Sequence, residues 1–274
     1  MKSFIETESR ARIFVEVSGE GEAVLFSHAD FVDGRMWDAV RASFGDERRT
    51  ASYDKLGYGR SDAATGPVCR RRELEAVIRG LGLAPAHLVG CSNGGQAALD
   101  LALERPELVR SLTLVNSPPS GFEPEGSPPA EILEMIEASQ KGDQEAASEL
   151  QLRIWFDGPS RLPDSLDPAK LVARSEAREM NRIFVERGTF WTAQPAEPLD
   201  PPALSRLGEI RLPVLVVSGS LDYSENRRAS RLIAESIPGA RFVEMAGCAH
   251  VPPLEAPQEF AAILRGFLES IASA

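Results

Sequence analysis

The chain has 274 residues, enough for one large core with an insertion, and its 43% apolar and 26% charged composition is that of an ordinary globular protein. A net charge of −11 argues against nucleic acid and anionic membrane surfaces as partners, because both would repel it. Cys69, Cys91 and Cys248 are odd in number and scattered, which fits no disulfide framework, and three dispersed histidines imply neither a metal site nor a cofactor.

The first eight residues carry charges where a signal peptide needs an apolar stretch, so the expected compartment is the cytoplasm. Residues 4–7 and 12–17 predict two strands, with a glycine turn at 18–22. Residues 23–28 predict a third strand, too apolar for a solvent-facing position. A helix at 36–44, a strand at 49–53 and a helix at 70–81 follow, the last opened by Arg70, Arg71 and Arg72, expected to be a solvated helix end.

Ala86 to Gly90 reads as a buried strand, and the Ala- and Leu-rich run 95–103 as a helix. Between them stands Gly90-Cys91-Ser92-Asn93-Gly94. A serine at a sharp strand-to-helix turn projects its hydroxyl from the sheet edge, and glycines flank it where a Cβ would clash. The helix that follows aims its N–H groups and positive dipole end at the place where negative charge would develop. This is a nucleophile elbow.

A strand at 111–116 follows, then breaker-rich residues 117–129, a mostly helical stretch from 130 to about 187, and prolines 195, 198, 201 and 202. Strand–helix alternation resumes with a strand at 212–219, a helix at about 224–236, a strand at 241–245 and a terminal helix at 257–271. The expected architecture is α/β, a mostly parallel central sheet with helices on both faces. Its core would comprise residues 1–119 and 206–274, interrupted by a helical cap at 120–205.

A serine hydroxyl needs a base, and the base works better when a carboxylate orients it. His87 begins the elbow strand at the end opposite Ser92 and is expected to be structural; His28 is expected to shape a turn. His250 follows the last strand, on the rim that carries Ser92, and is the candidate base. Asp222 follows the strand before it and is the candidate acid, completing the chain order Ser, Asp, His.

With these residues the chain resembles the α/β-hydrolase-fold serine hydrolases over nearly its whole length. His28-Ala29-Asp30 resembles the family's His-Gly turn, and Arg35-Met36-Trp37-Asp38 a stretch that follows it. Asp54-Lys55-Leu56-Gly57-Tyr58-Gly59-Arg60-Ser61 resembles the Asp-x-Arg-Gly-x-Gly-x-Ser segment, with Leu56 in place of Arg, and His250 with Pro253, Leu254, Glu255 and Pro257 resembles the closing pattern. The insertion is most similar to the cap of the branch containing enol-lactonases and small-molecule esterases.

The resemblance implies cleavage of a small-molecule ester or lactone, with the backbone N–H groups of Asp30 and Asn93 as an oxyanion hole. C–C bond hydrolysis or perhydrolysis on the same triad, and a non-catalytic ligand-binding role, are the alternatives; Cys91, where C–C hydrolases carry Asn, disfavours the first. Branches with an Asp nucleophile are excluded by Ser92. Ala29 departs from the usual Gly, and Asp30 sets a carboxylate beside the proposed oxyanion hole. Its side chain is expected to point outward or to cap the helix near Met36; the alternative is a polar pocket wall formed with Asn93. In the cap, Phe31 from the core together with Trp155, Phe156, Phe184 and Trp191 are the candidate substrate contacts. Arg153, Arg178 and Arg182 are the candidate carboxylate-binding cations. Oligomeric state is not legible.

Overall fold

A computed structural model describes residues 1–272. The strands are β1 (Lys2–Glu6), β2 (Arg12–Ser18), β3 (Ala23–Ser27), β4 (Arg49–Tyr53), β5 (Gly66–Val68), β6 (Ala86–Cys91), β7 (Val109–Val115), β8 (Ala193–Pro195), β9 (Val214–Gly219) and β10 (Arg241–Met245). The helices are α1 (Asp38–Phe44), α2 (Arg70–Gly80), α3 (Asn93–Glu104), α4 (Ala130–Lys141), α5 (Gln144–Leu152), α6 (Pro168–Glu186), α7 (Thr189–Thr192), α8 (Ser224–Ser236), α9 (Pro252–Glu255) and α10 (Pro257–Ala272).

Eight strands form one sheet in the order β1-β2-β4-β3-β6-β7-β9-β10. β1 and β2 pair antiparallel, β2 pairs antiparallel with β4, and every pair from β4 to β10 is parallel. Parallel strands need crossovers, and helices supply them on both faces. Leu74, Val77 and Ile78 of α2, Leu99 of α3 and Ile233 of α8 join one apolar cluster. Val40 and Phe44 of α1 with Phe260, Leu264 and Phe267 of α10 join another. β6, β7 and β9 are buried throughout, which is why they read as unbroken apolar runs.

Between β7 and β9 the chain leaves the sheet, and α4 to α7 stand over its carboxyl edge. Two features here escape the sequence pattern. Three-residue β5 and β8 pair in parallel as a separate small sheet that stitches this segment to the core. Arg153–Asp157, directly after α5, forms a π-helical turn. Arg70 and Arg71 also depart from the expected solvated helix end. They are turned inward against Glu73 and Glu104, while Arg72 stays exposed. Among the described residues no helix is long and apolar enough to cross a membrane.

Candidate active site

Ser92 sits between β6 and α3 with φ 53° and ψ −124°, a left-handed geometry that costs a non-glycine residue of order 1–3 kcal/mol. The surrounding glycines make it possible. A Cβ on Gly94 would fall on the carbonyl oxygens of Ser27 and His28, and one on Gly90 would fall on the backbone of Gly94 and Gly95. The start of α3 therefore lies against the loop after β3 at backbone contact distance.

That loop is braced by His28, which is buried and takes one tautomer. Its Nε2 accepts from the Lys55 N–H at 2.9 Å, so Nδ1 carries the proton and donates to the Ala29 carbonyl at 2.7 Å. Burial first, and then the nearby Lys55 charge, push its pKa well below the ordinary value, so the ring stays neutral. Ala29 does not adopt positive φ, which explains how it replaces glycine.

His250 and Asp222 come together at the same rim. His250 Nδ1 lies 2.7 Å from Asp222 Oδ2. Asp222 Oδ1 accepts from the Tyr223 N–H at 2.7 Å and from Asn226 Nδ2 at 2.9 Å. Asn226 Nδ2 also lies 3.2 Å from His250 Nδ1, so Asn226 bridges the carboxylate and the ring. Asn116, at the end of β7, holds this loop in place. Its Nδ2 donates to the Ala249 and His250 carbonyls at 2.9 and 3.0 Å, and its Oδ1 accepts from the Gly219 N–H at 3.0 Å. Glu255 adds an acceptor for the Ala249 N–H at 2.8 Å and pairs with Arg161 at 2.6 Å.

Ser92, His250, Asp30 and Asn93 line one cavity of about 540 Å³ together with Phe31, Tyr58, Met135, Trp155 and Phe184. The Trp155 ring stands 4.8 Å from the His250 ring, centroid to centroid, and Tyr58 stacks on Phe184 at 5.1 Å. Three of the five candidate substrate contacts, Phe31, Trp155 and Phe184, thus border the cavity. Phe156 does not. It is 0% exposed and packs into the sheet-side apolar cluster, on the face of the π-helical turn that neighbouring Trp155 does not share. Trp191 does not either: it is 47% exposed, edge-on to Phe190, and borders a separate cavity of about 250 Å³.

Asp30 corrects a second expectation. The cap near Met36 is supplied by Asp33, whose Oδ1 accepts from the Arg35 N–H at 3.1 Å. Asp30 instead faces the cavity with half its side-chain surface accessible, and its Oδ1 accepts from Lys55 Nζ at 2.6 Å. Lys55 is 0% exposed and also donates to Asn93 Oδ1 at 3.4 Å. Burial alone would raise the Asp30 carboxyl, but the Lys55 and Arg70 charges overcome it and hold it below the usual range. Sequence reasoning passed over Lys55 and Asn116. The available signal was position: each lies just past the end of a sheet strand, at the edge that carries Ser92.

The candidate cations of the cap are all engaged. Arg153 pairs with Asp157 at 3.1 Å, Arg178 with Glu149, and Arg182 with Glu186 at 2.7 Å.

Residues 24–263 match the profile described as the alpha/beta hydrolase family. The chain belongs to the alpha/beta hydrolase family. Among relatives of this alpha/beta hydrolase, a putative carbamate hydrolase of Azorhizobium caulinodans is 28% identical, over 95% of this chain and 96% of its own. A pimeloyl-[acyl-carrier protein] methyl ester esterase of Chromobacterium violaceum is also 28% identical, over 94% and 98%. The solved enol-lactonase of Burkholderia xenovorans superposes with a TM-score of 0.78 at 20% identity, over 97% and 100%, and so shares the fold.

Proposed function

We propose that this alpha/beta hydrolase cleaves a small-molecule ester or lactone through an acyl-enzyme on Ser92. His250 takes the Ser92 proton as Oγ bonds to the carbonyl carbon, and returns it to the departing alcohol oxygen as the C–O bond breaks. Water, deprotonated by His250 in turn, then releases the acid. Asp222 orients the imidazole and stabilises it when charged. The N–H groups of Asp30 and Asn93 stabilise the oxyanion; losing one such donor typically costs about 3 kcal/mol. The cap, residues 120–205 with α4 to α7, closes over the cavity and shields it from bulk water.

The observation that carries this reading is the 2.7 Å His250–Asp222 contact at the mouth of a cavity that a strained serine also lines. An ester chemistry is further supported by the names of the relatives, an esterase among them. A fluorophosphonate should label Ser92 stoichiometrically, and Ser92→Ala should lower kcat on a short-chain ester by about 10⁴-fold or more. Absent labelling of folded protein, or an undiminished rate in the variant, would refute it.

A further inference from the structure

The cavity wall beside Ser92 holds a charge arrangement that ester hydrolysis as such does not need. Asp30 presents half of its side chain to the cavity, while its counter-ion Lys55 is completely enclosed behind it. A carboxylate has about four acceptor positions, and Lys55 and the Tyr58 hydroxyl take two of them, so acceptor capacity remains on the cavity side. The location is fixed relative to the nucleophile, because the same ammonium reaches Asn93 Oδ1, one residue after Ser92. The guanidinium groups that border this cavity, Arg70 and Arg71, are mostly enclosed and committed to Glu73 and Glu104. The same cavity is lined by the aromatic residues Phe31, Tyr58 and Phe184 and by the uncharged amides Gln96 and Gln151.

A ligand group placed here therefore meets an accessible anion, with the balancing cation out of reach. A second carboxylate would be repelled and could not displace Asp30 without leaving Lys55 buried and unpaired, which is costly. An alkyl group would leave the Asp30 acceptors unsatisfied, whereas an ammonium would satisfy them with charge-assisted hydrogen bonds. We propose that Asp30, held by Lys55, is a specificity-determining residue that selects esters or lactones bearing a protonated amine close to the scissile carbonyl. This rests on the hydrolase reading above and names the substrate class for the same site.

The test uses three methyl esters of matched length: β-alanine methyl ester with a terminal ammonium, methyl butanoate with a methyl in its place, and monomethyl succinate with a carboxylate. Turnover is followed by pH-stat near neutrality. The wild type should show kcat/KM about tenfold higher for the ammonium ester than for methyl butanoate, and lowest for the succinate. Asp30→Asn should reduce the ammonium-to-methyl ratio about tenfold. The double variant Asp30→Asn/Lys55→Met, which removes both charges together, should do the same if the single variant folds poorly.

Binding of the same esters to Ser92→Ala, read by NMR titration, separates the two claims. Preferential binding of the ammonium ester without turnover in the wild type would sink the hydrolase reading and leave amine selection standing. Turnover of methyl butanoate with a wild-type ratio at or below one, or a ratio unmoved in both Asp30 variants, would overturn amine selection and leave the hydrolase intact.

Discussion

The sheet and the helical segment above it differ in how completely their apolar residues are buried. Every element of the sheet domain buries an apolar face into one of two clusters, with Leu25, Leu88, Leu112 and Val216 on one side and Phe26, Trp37, Val89 and Val217 on the other. The helical segment keeps apolar residues at its surface, Leu133, Leu162, Leu171 and Val172 among them. Its inner faces nevertheless join the second cluster through Leu152, Phe156, Leu166, Ala173, Ala177 and Met180, and polar ties add to that burial. Asn181 Nδ2 donates to the Phe31 carbonyl at 3.0 Å, Thr189 Oγ1 to the Gly57 carbonyl at 2.7 Å, and Arg187 to the Ser61 carbonyl at 2.9 Å. Within it, Asp157 is wholly enclosed between Arg153 and Arg174. Apolar burial thus runs from the sheet into the helical segment, and directional bonds fix how the two meet.

The contrast breaks most directly at the elbow. Gly94→Ala forces a methyl onto two backbone carbonyl oxygens that cannot swing aside. It should cost about 4 kcal/mol in chemical denaturation and abolish fluorophosphonate labelling. A stable, reactive Gly94→Ala protein would show that the frame is softer than its packing implies.

Asp157→Ala tests the other half. It removes the central anion from Arg174 and Arg153 but leaves Arg174 its Glu149 partner at 2.7 Å. The expected cost is about 3 kcal/mol, expressed as faster limited proteolysis between α4 and α7 while the sheet transition stays put. Equal loss of both would mean that cap and sheet unfold as one unit.

The smallest effect concerns acid. Burial pushes His87 from 6.5 down to about 4, with Nδ1 2.7 Å from Ser111 Oγ and Nε2 3.8 Å from Glu22. Because its folded pKa lies below the unfolded one, the unfolded chain binds more protons in that window, and stability falls as pH drops from 6.5 toward 4. Relative to neutral pH, His87 should account for about 2 kcal/mol of loss at roughly pH 5. His87→Gln should flatten the curve there; an unchanged acid slope would show that the ring is accessible to protons in the native sheet.

The same contrast explains what the sequence disclosed. Sheet strands fully covered on both faces must be apolar throughout, so β3, β6, β7 and β9 stood out; the loops after β6 and β9 carried Ser92 and Asp222, and the loop after the edge strand β10 carried His250, to one rim. The cap was legible only as helical. Whether Trp155 or Phe156 borders the cavity depends on the phase of a π-helical turn, which shifts the face each residue presents and has no hydrophobic period to announce it. β5 and β8, at three residues each, are too short to show an alternating pattern. Asp30 was ambiguous because its direction is set by Lys55, which is 25 positions away in sequence.

The close approach of Gly94 to the Ser27–His28 backbone has a practical corollary for engineering. Library diversity spent at 90, 94 or 95 would jam the seam between Ser92 and the loop after β3, whereas positions 31, 155 and 184 carry no buried charge and form a replaceable part of the lining. New substrates should be reachable by randomising that lining alone.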